Sequence, residues 1–380
     1  MTQESSAPVL FEEHRTAEGA RVGVARLNAE RSLNALTLQM IDLLGERMRA
    51  WASDAGIVLV ILEGAGERAF CAGADLHQMY KTIVAHHASP QREDILGNAH
   101  ALNFFTREYR LDYLIHTYPK PVLIWGHGVV MGGGMGLAVG ASHRVVTEHA
   151  RVAMPEINIG LYADVGGSWF LNRAPGKTGL FLALTAAQLN ATDAIFAGLA
   201  DYQIPHAHKA QVMARILQCK WEGSAGCDRH HLTNLLLEFT AKDSAQGPLR
   251  QHFDLINTLC AHADVAKIVA GITGLKTQDA WLTRAAATLA AGSPSTAALS
   301  AALQERLRLC SLAEVFRAEL VASLVCTARP DLAEGIRALL IDKDRHPRWQ
   351  PATIAQVTPD WIDGYFKSPW PAQEHPLADL

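Results

Sequence analysis

Two carboxylates stand eight residues apart in one short stretch of the chain. Glu156 and Asp164 lie within residues 153–167, which read Ala-Met-Pro-Glu-Ile-Asn-Ile-Gly-Leu-Tyr-Ala-Asp-Val-Gly-Gly. A bend at the central glycine can aim both acids into one pocket, which a straight helix would do poorly at this spacing. Paired acids in a pocket suit general acid–base or nucleophilic catalysis. The simpler alternatives are that Asp164 caps the N-terminus of a helix and that Glu156 is a solvated loop acid.

Two further segments carry small residues where backbone N–H groups can approach a ligand closely. The first, Phe70–Asp75, reads Phe-Cys-Ala-Gly-Ala-Asp, and the second is a turn in which Gly132–Gly134 open a helix after a strand. The glycines expose N–H groups and the positive end of that helix. Two N–H donors from separate loops can form an oxyanion hole for a carbonyl that becomes negative. Taken singly, the first segment could be a plain turn and the second a flexible joint or a tight helix–strand contact.

The hydrophobic pattern predicts that an α/β half positions these residues. Continuous β-branched runs indicate buried strands, and apolar residues at helical spacing indicate helices between them. Strands are predicted at 22–27, 57–62, 122–125 and 144–147, helices at 34–52, 101–118 and 135–142, a loop at 67–76 and a polar, mobile segment at 85–100. Strand–turn–helix units of this kind favour a mostly parallel sheet.

The strand signal fades after Ser168, and helical patterns dominate from there. Helices are predicted at 179–184, 191–198, 210–217, 232–241 and 311–326, with two more joined by a turn within 285–303. We therefore expect an α/β core over residues 10–205 and a helical C-terminal region over 206–380 that packs on it. No linker rich in Pro, Gly or Ser separates the two, so this boundary is soft.

Composition, the N-terminal segment and the cysteine spacing indicate which partners and which cellular compartment to expect. The chain has 380 residues, a net charge of −4 and 49% apolar residues, which predicts neither nucleic-acid nor membrane binding. The uncharged stretch 121–142 is too rich in glycine for a lipid-exposed helix. The N-terminus resembles neither a secretory signal nor a transit peptide, and the six cysteines lack metal-ligand spacing, so a reducing, cytoplasmic location is expected. Adjacent His230 and His231 cannot easily share one ion, and no metal is expected.

Three phrases together resemble the crotonase superfamily, also called the enoyl-CoA hydratase/isomerase superfamily. They are Ala69–Leu76, Lys120–Gly128 and the triple glycine, and the resemblance extends from about Val22 to Lys367. It implies a spiral of ββα units that binds acyl-CoA thioesters. It also implies that the N–H groups of Ala74 and Gly133 form the oxyanion hole for the thioester oxygen.

Further residues resemble one subfamily, the 3-hydroxyisobutyryl-CoA hydrolases. Hydratases of the superfamily commonly use two glutamates, but the first of them is replaced here by Gly136. The subfamily shares that glycine, an acid at Asp164, and a Phe-Phe-x-x-Glu-Tyr phrase that is present as Phe104–Tyr109. The resemblance implies thioester hydrolysis in valine catabolism, with Glu108 in contact with the substrate and no cofactor beyond the coenzyme A of the substrate.

The implied mechanism leaves one choice open and has three rivals. Glu156 acts as the nucleophile or as the base that activates water, and Asp164 orders the 3-hydroxyl or the water and moves a proton. The rivals are an enoyl-CoA hydratase in which Asp164 substitutes for the missing acid, a dienoyl-CoA isomerase, and a non-catalytic acyl-CoA-binding protein. Relatives with this core often form trimers, so a homo-oligomer is a further expectation.

Overall fold

The computed structural model describes residues 7–242 and 245–380, which form nine β-strands and seventeen α-helices. The strands are β1 (Val9–Arg15), β2 (Arg21–Leu27), β3 (Ile57–Gly64), β4 (Ala69–Cys71), β5 (Val122–Gly126), β6 (Val129–Met131), β7 (His143–Val146), β8 (Arg151–Ala153) and β9 (Tyr202–Gln203). The helices are α1 (Leu38–Ser53), α2 (Leu76–His87), α3 (Ala99–His116), α4 (Gly133–Val139), α5 (Gly167–Phe170), α6 (Thr178–Thr185), α7 (Ala191–Phe196), α8 (Lys209–Gln218), α9 (Ala225–Phe239), α10 (Pro248–Gln251), α11 (Phe253–Leu259), α12 (Val265–Thr273), α13 (Ala280–Ala291), α14 (Pro294–Arg306), α15 (Leu312–Ala328), α16 (Pro330–Ile336) and α17 (Pro359–Asp363).

Two sheets organise the strands. The larger has the order β1-β2-β3-β5-β7-β9, in which only the β1–β2 pair is antiparallel among the described strands. The smaller has the order β4-β6-β8, and its β4 and β6 run parallel. Since each parallel neighbour needs a crossover, the helices between these strands follow from the topology.

The chain divides into two compact units, each assembled from three separate stretches. Unit 1 comprises residues 1–74, 111–152 and 189–247, and unit 2 comprises residues 75–110, 153–188 and 248–380. Helix α3 therefore has its first two thirds in unit 2 and its end in unit 1. The predicted division at residue 205 stays a prediction.

The core of unit 1 joins the larger sheet to two helices that lie far along the chain. Leu59, Leu123 and Val145 of β3, β5 and β7 are buried in one apolar cluster with Val212 of α8 and Leu232 of α9. Burying a side chain of this size contributes roughly 1.5–3 kcal/mol relative to leaving it exposed. Helices α8 and α9 are thus part of what holds the sheet together.

Unit 2 is helical, and α15 runs through its interior. Twelve of the seventeen residues of α15 are buried, including the polar residues Glu319, Ser323 and Thr327. Its N-terminus carries a capping box, in which Ser311 and Glu314 satisfy each other's backbone N–H groups. Because the helix is apolar nearly all round, the few polar side chains on it need partners inside the protein.

The predicted elements agree with the structure in kind and differ mainly at short strands. The α/β class, the largely parallel sheet and the two helices within 285–303 are confirmed. The predicted loop at 67–76 was wrong in part because it contains β4, and the helix predicted at 135–142 is α4, which begins and ends earlier. Strands β1, β6, β8 and β9 were missed, as were helices α2, α5, α10, α11, α12, α16 and α17.

Neither a membrane span nor a metal cluster is found among residues 7–242 and 245–380. No helix there combines the length and apolar character that a membrane crossing needs. No group of three or more His, Cys, Asp or Glu side chains in that part of the chain could hold a metal ion.

Candidate active site

The two predicted oxyanion-hole residues lie on neighbouring loops of unit 1. The parallel pairing of β4 with β6 brings the loop that follows β4 beside the glycine turn that follows β6. A Cβ atom built on Gly73 would lie 3.6 Å from the nitrogen of Gly133. Within the described part of the chain, neither the Ala74 nor the Gly133 N–H donates to a backbone carbonyl. Both amides are therefore available as donors, and their role in an oxyanion hole stays a prediction.

Glycine at position 134 is required by close backbone contact. A Cβ on Gly134 would lie 2.4 Å from the carbonyl oxygen of Cys71, which no real side chain tolerates. The tight-contact interpretation of the glycine turn is therefore correct for this residue. The contact also fixes the register between the two loops that carry Ala74 and Gly133.

The three predicted acids are buried together in unit 2. Glu108 of α3, Glu156 and Asp164 are 2%, 5% and 4% exposed. Glu156 begins a 3-10 turn that ends at Gly160, whose φ of 76° produces the bend expected between the two acids. A solvated loop position for Glu156 is thus excluded, and the N-cap residue of α5 is Gly166 rather than Asp164. Both simpler alternatives were wrong.

Burial and mutual repulsion favour the protonated forms of these acids. Burial, and then the charge of Asp164, raise the pKa of Glu108 well above its usual value. The pKa of Glu156 is raised well above its usual value by burial, by Asp164 and by Glu108. Burial raises the pKa of Asp164 to about 7, against the lowering effect of a hydrogen bond from Tyr109. Buried carboxyl groups that interact in this way and have raised pKa values are typical of acid–base sites.

Two of the acids keep an oxygen for a ligand. Oε1 of Glu108 and Oε2 of Glu156 are buried and accept no hydrogen bond from the residues that the structure describes. A buried polar atom without a partner costs about 1–3 kcal/mol. A hydroxyl-bearing substrate or a water molecule would remove that cost.

Asp164 is anchored by a chain of hydroxyl groups. Tyr109 donates a hydrogen bond to its Oδ2 at 2.9 Å, and the Tyr109 oxygen lies 2.7 Å from Oγ of Ser323. Ser323 lies 2.8 Å from the hydroxyl of Tyr162, which in turn donates to the backbone carbonyl of Glu319 at 2.7 Å. All of these side chains are buried.

The backbone that follows Asp164 is held by the carboxylate of Glu319. Oε2 of Glu319 accepts from the Gly166 N–H at 2.7 Å, and Oε1 accepts from the Ser168 N–H at 2.9 Å. The turn that leads into Gly166 is strained, because Val165 has a φ of 52° that β-branched residues rarely adopt. Burial raises the pKa of Glu319 to about 8, while the two N–H donors oppose that shift.

Sequence reasoning found the acids but missed the groups that hold them. Tyr109 stands in the quoted Phe-Phe-x-x-Glu-Tyr phrase without an assigned role, and Tyr162 stands between the two acids. Glu319 and Ser323 lie more than 150 residues further on, one helical turn apart in α15. The only signal for them in the sequence is a Glu and a Ser at i, i+4 in a mostly apolar helix.

Comparison with known proteins places the chain in a family. The family model described as enoyl-CoA hydratase/isomerase matches residues 22–366, and the chain belongs to that family. The crotonase-like α/β fold that the sequence predicts is confirmed. A crystal structure of a carnitinyl-CoA dehydratase from Mycobacterium thermoresistibile is similar, with a TM-score of 0.82 and 33% identity over 96% of this chain and 98% of that one.

The curated relatives carry a different printed name from that structure. A mitochondrial 3-hydroxyisobutyryl-CoA hydrolase from Danio rerio is 36% identical over 97% of this chain and 91% of its own. The corresponding protein of Homo sapiens, with the same printed name, is 34% identical over 91% of this chain and 86% of its own. The subfamily resemblance seen in the sequence is confirmed by these relatives.

Proposed function

We propose that this chain is a CoA-thioester hydrolase that converts 3-hydroxyisobutyryl-CoA and water into 3-hydroxyisobutyrate and coenzyme A, a step of valine catabolism. The observation that carries the proposal is the cluster of three buried acids, of which Glu108 and Glu156 each keep an oxygen for a ligand. The relatives named 3-hydroxyisobutyryl-CoA hydrolase support this substrate. Glycine at position 136 removes the second glutamate that a hydratase of the superfamily commonly uses.

In the proposed mechanism the thioester oxygen accepts hydrogen bonds from the N–H groups of Ala74 and Gly133. These donors stabilise the negative charge that the oxygen gains when the carbonyl carbon is attacked. A missing donor in such a hole typically costs about 10²–10³ in rate. Because the amides belong to a rigid loop pair, they need no rearrangement as the charge develops.

Glu156 supplies the attack in one of two ways. As a nucleophile, its carboxylate forms an anhydride with the acyl group and expels the coenzyme A thiolate, and water then cleaves the anhydride. As a base, it removes a proton from the water that attacks the carbonyl carbon directly. Asp164 orders the 3-hydroxyl or that water and passes a proton towards the leaving sulfur. Glu108 binds the hydroxyacyl end.

Thiol release from 3-hydroxyisobutyryl-CoA tests the hydrolase proposal. Purified protein should release thiol with each turnover, and a folded protein that releases none would rule the proposal out. Label found in Glu156 after a single turnover in water labelled with heavy oxygen would establish the nucleophilic role, because the base route never transfers an oxygen of water to the enzyme. Label found only in the product is expected for the base route, and also for an anhydride that water opens at the acyl carbon, so trapping of the anhydride with hydroxylamine distinguishes those two cases.

Hydration of an enoyl-CoA is the second candidate, because the similar crystal structure bears the name of a dehydratase. Asp164 would then substitute for the glutamate that position 136 lacks. Loss of the enoyl-thioester absorbance, without thiol release, would favour this activity over hydrolysis. A dienoyl-CoA isomerase and a non-catalytic acyl-CoA-binding protein stay predictions. Assays of the purified protein with a panel of 3-hydroxyacyl-, enoyl- and dienoyl-CoA thioesters test both, since the first predicts a shift of the diene and the second predicts binding without turnover.

Location and assembly stay predictions. The sequence favours the cytoplasm, whereas the printed names of the relatives include the word mitochondrial. Fractionation of the source cells decides between these compartments. A homo-oligomer is expected from the superfamily resemblance, and light scattering on the purified chain tests it.

A further inference from the structure

The chain of hydroxyl groups beside Asp164 can be satisfied in two opposite directions. Four consecutive contacts of 2.7–2.9 Å link Asp164 to Tyr109, Ser323, Tyr162 and finally the backbone carbonyl of Glu319. Each of the three hydroxyl groups has one proton to donate and lone pairs that accept. The three protons can therefore all point towards Asp164, which leaves the contact between Tyr162 and the Glu319 carbonyl without a proton, or, when Asp164 adds a fourth proton, all point away from it and fill all four contacts.

The first set suits an ionised Asp164. Tyr109 donates to the carboxylate, Ser323 donates to the Tyr109 oxygen, and Tyr162 donates to Ser323. Every proton then points towards the negative charge, and the bonds strengthen one another.

The second set suits a protonated Asp164. The carboxylic acid donates to Tyr109, Tyr109 donates to Ser323, and Ser323 donates to Tyr162. Tyr162 then donates to the carbonyl of Glu319, at the 2.7 Å distance that the structure shows. Because a backbone carbonyl has two lone pairs, this oxygen can accept the hydrogen bond from Tyr162 in addition to a backbone hydrogen bond within its helix.

We propose that Tyr109, Ser323 and Tyr162 form a hydroxyl relay whose hydrogen bonds reverse direction when Asp164 gains or loses a proton. The three residues are positioning residues, because they act on the reaction through Asp164. No proton leaves the relay, and only the orientation of its three O–H bonds changes. The relay rests on the proposed function in that Asp164 must change its protonation state during turnover.

The relay is needed because the surroundings of Asp164 cannot otherwise solvate either state. The ionisable side chains nearest to it are themselves buried, and burial raises the pKa of each; they are Glu108, Tyr109, Glu156, Tyr162, Glu319 and Cys326. A buried carboxyl group with fixed donors alone would be stable in one protonation state only. Hydroxyl groups that can reverse the direction of their hydrogen bonds stabilise both the ionised and the protonated state of Asp164.

Three variants of the full-length protein test the relay, with kcat and KM measured by thiol release across a range of pH. In Tyr109→Phe the ionised carboxylate loses its donor, so the limb of the kcat profile that reports the titration of Asp164 should move to higher pH. We expect kcat to fall on the order of 10–100-fold with little change in KM. Ser323→Ala should lower kcat roughly 2–10-fold, as expected for one net hydrogen bond.

Tyr118→Phe is the matched control. Tyr118 is also a buried tyrosine, and its hydroxyl donates to the Met48 carbonyl in unit 1. Its loss should lower stability but leave the pH profile in place. Equal profiles for the Tyr109 and Tyr118 variants would overturn the relay.

A double-mutant comparison separates positioning through Asp164 from a general structural role. In an Asp164→Asn background, Tyr109→Phe and Ser323→Ala should lower kcat no further, because the group they act on no longer titrates. Losses as large as those in the wild-type background would overturn the relay.

Thermal unfolding provides a readout that needs no turnover. The difference in melting temperature between the wild type and Asp164→Asn stops growing once the pH exceeds the pKa of Asp164 in the folded protein, so the pH of that plateau reports its titration. The relay predicts that this pH is higher when both proteins also carry Tyr109→Phe. An unchanged pH would overturn the relay, whereas a shift in a protein that releases no thiol would leave the relay standing and refute the hydrolase proposal.

Discussion

The hydroxyl of Tyr109 donates a 2.9 Å hydrogen bond to Oδ2 of Asp164, inside a site where both residues are almost fully buried. The adjacent residue in the chain, Glu108, belongs to the acid cluster itself. A single turn of α3 therefore brings one acid into the site and holds another in place. This arrangement explains why a Phe-Phe-x-x-Glu-Tyr phrase, rather than the glutamate alone, accompanies the acid pair.

Replacing Glu156 tests its role in the attack on the thioester. Glu156→Gln keeps the size of the side chain but removes the group that attacks or accepts a proton. We expect kcat to fall on the order of 10²–10⁴-fold, with KM changed far less. The measurement is thiol release at saturating substrate.

Glu305→Gln on the exposed side of α14 is the matched control for this variant and should keep wild-type kcat. A Glu156→Gln protein with more than about a tenth of wild-type kcat would remove this residue from the chemistry.

Asp164 should make the folded protein less stable as the pH rises. Its pKa in the folded state, about 7, lies above the ordinary value of an aspartate. Between those two values the folded protein binds the proton more tightly than the unfolded chain does, so the free energy of unfolding falls with rising pH. Asp164→Asn removes this loss and should raise the melting temperature at alkaline pH but scarcely at acidic pH. The check is a series of thermal unfolding curves.

A gain in melting temperature of equal size at every pH would show that the effect of Asp164→Asn does not come from titration of this side chain. The same variant should lose activity, so that stability and function oppose each other at this position.

Replacing the carboxyl group of Glu319 by an amide should loosen the turn that follows Asp164. In Glu319→Gln the side-chain oxygen can still accept a hydrogen bond from one backbone N–H. The amide nitrogen is itself a donor, so it cannot accept a hydrogen bond from the other N–H. The strained Val165–Gly166 turn then loses one of its two anchors. We expect faster hydrogen exchange in a peptide that spans residues 161–170 and a fall in kcat on the order of 10-fold or more.

Asp228→Asn is the control, since Asp228 is a buried acid that accepts the Glu222 N–H in unit 1. It should affect stability without changing exchange in residues 161–170 or kcat. Faster exchange with unchanged kcat in Glu319→Gln would show that the turn does not position Asp164.

Gly134→Ala should disturb the loop pair that carries the oxyanion-hole amides. The added Cβ would meet the Cys71 carbonyl at 2.4 Å, so the loops must separate. We expect a loss of about 1–3 kcal/mol in the free energy of unfolding and a lower kcat. Chemical denaturation and thiol release measure the two effects.

Gly226→Ala in α9 is the matched control, because nothing lies within 4 Å of a Cβ built there. In a helix this change should stabilise by about 0.5–1 kcal/mol and leave kcat unchanged. If both alanine variants behaved alike, the contact at Gly134 would have no bearing on the amides.

The parts of the site that sequence reasoning found are those with strong local signals. Glu156 and Asp164 flank a glycine bend, Gly133 opens a helix after a strand, and Ala74 follows a buried strand. These patterns are visible within a window of about fifteen residues. The buried location of Glu156 and Asp164 in the structure agrees with their interpretation as paired acids.

The rest depends on contacts between distant parts of the chain. Nothing near Asp164 in the sequence indicates that Glu319 and Ser323 will approach it, because that contact depends on how α15 packs in unit 2. The same reason explains the missed strands β1 and β9, which are defined by their neighbours more than by their own residues. Strand β9 has only two residues, so its own pattern carries almost no information.

The discontinuous make-up of the two units has a consequence for synthesis on the ribosome. The last stretch of unit 1 ends at residue 247, and α15 is translated only afterwards. The nascent chain can therefore complete its sheet while Glu156 and Asp164 still lack Glu319 and Ser323. Until residue 328 has left the exit tunnel, the hydrogen bonds that α15 makes with Tyr109, with Tyr162 and with the turn after Asp164 cannot form, so these contacts are completed only near the end of translation.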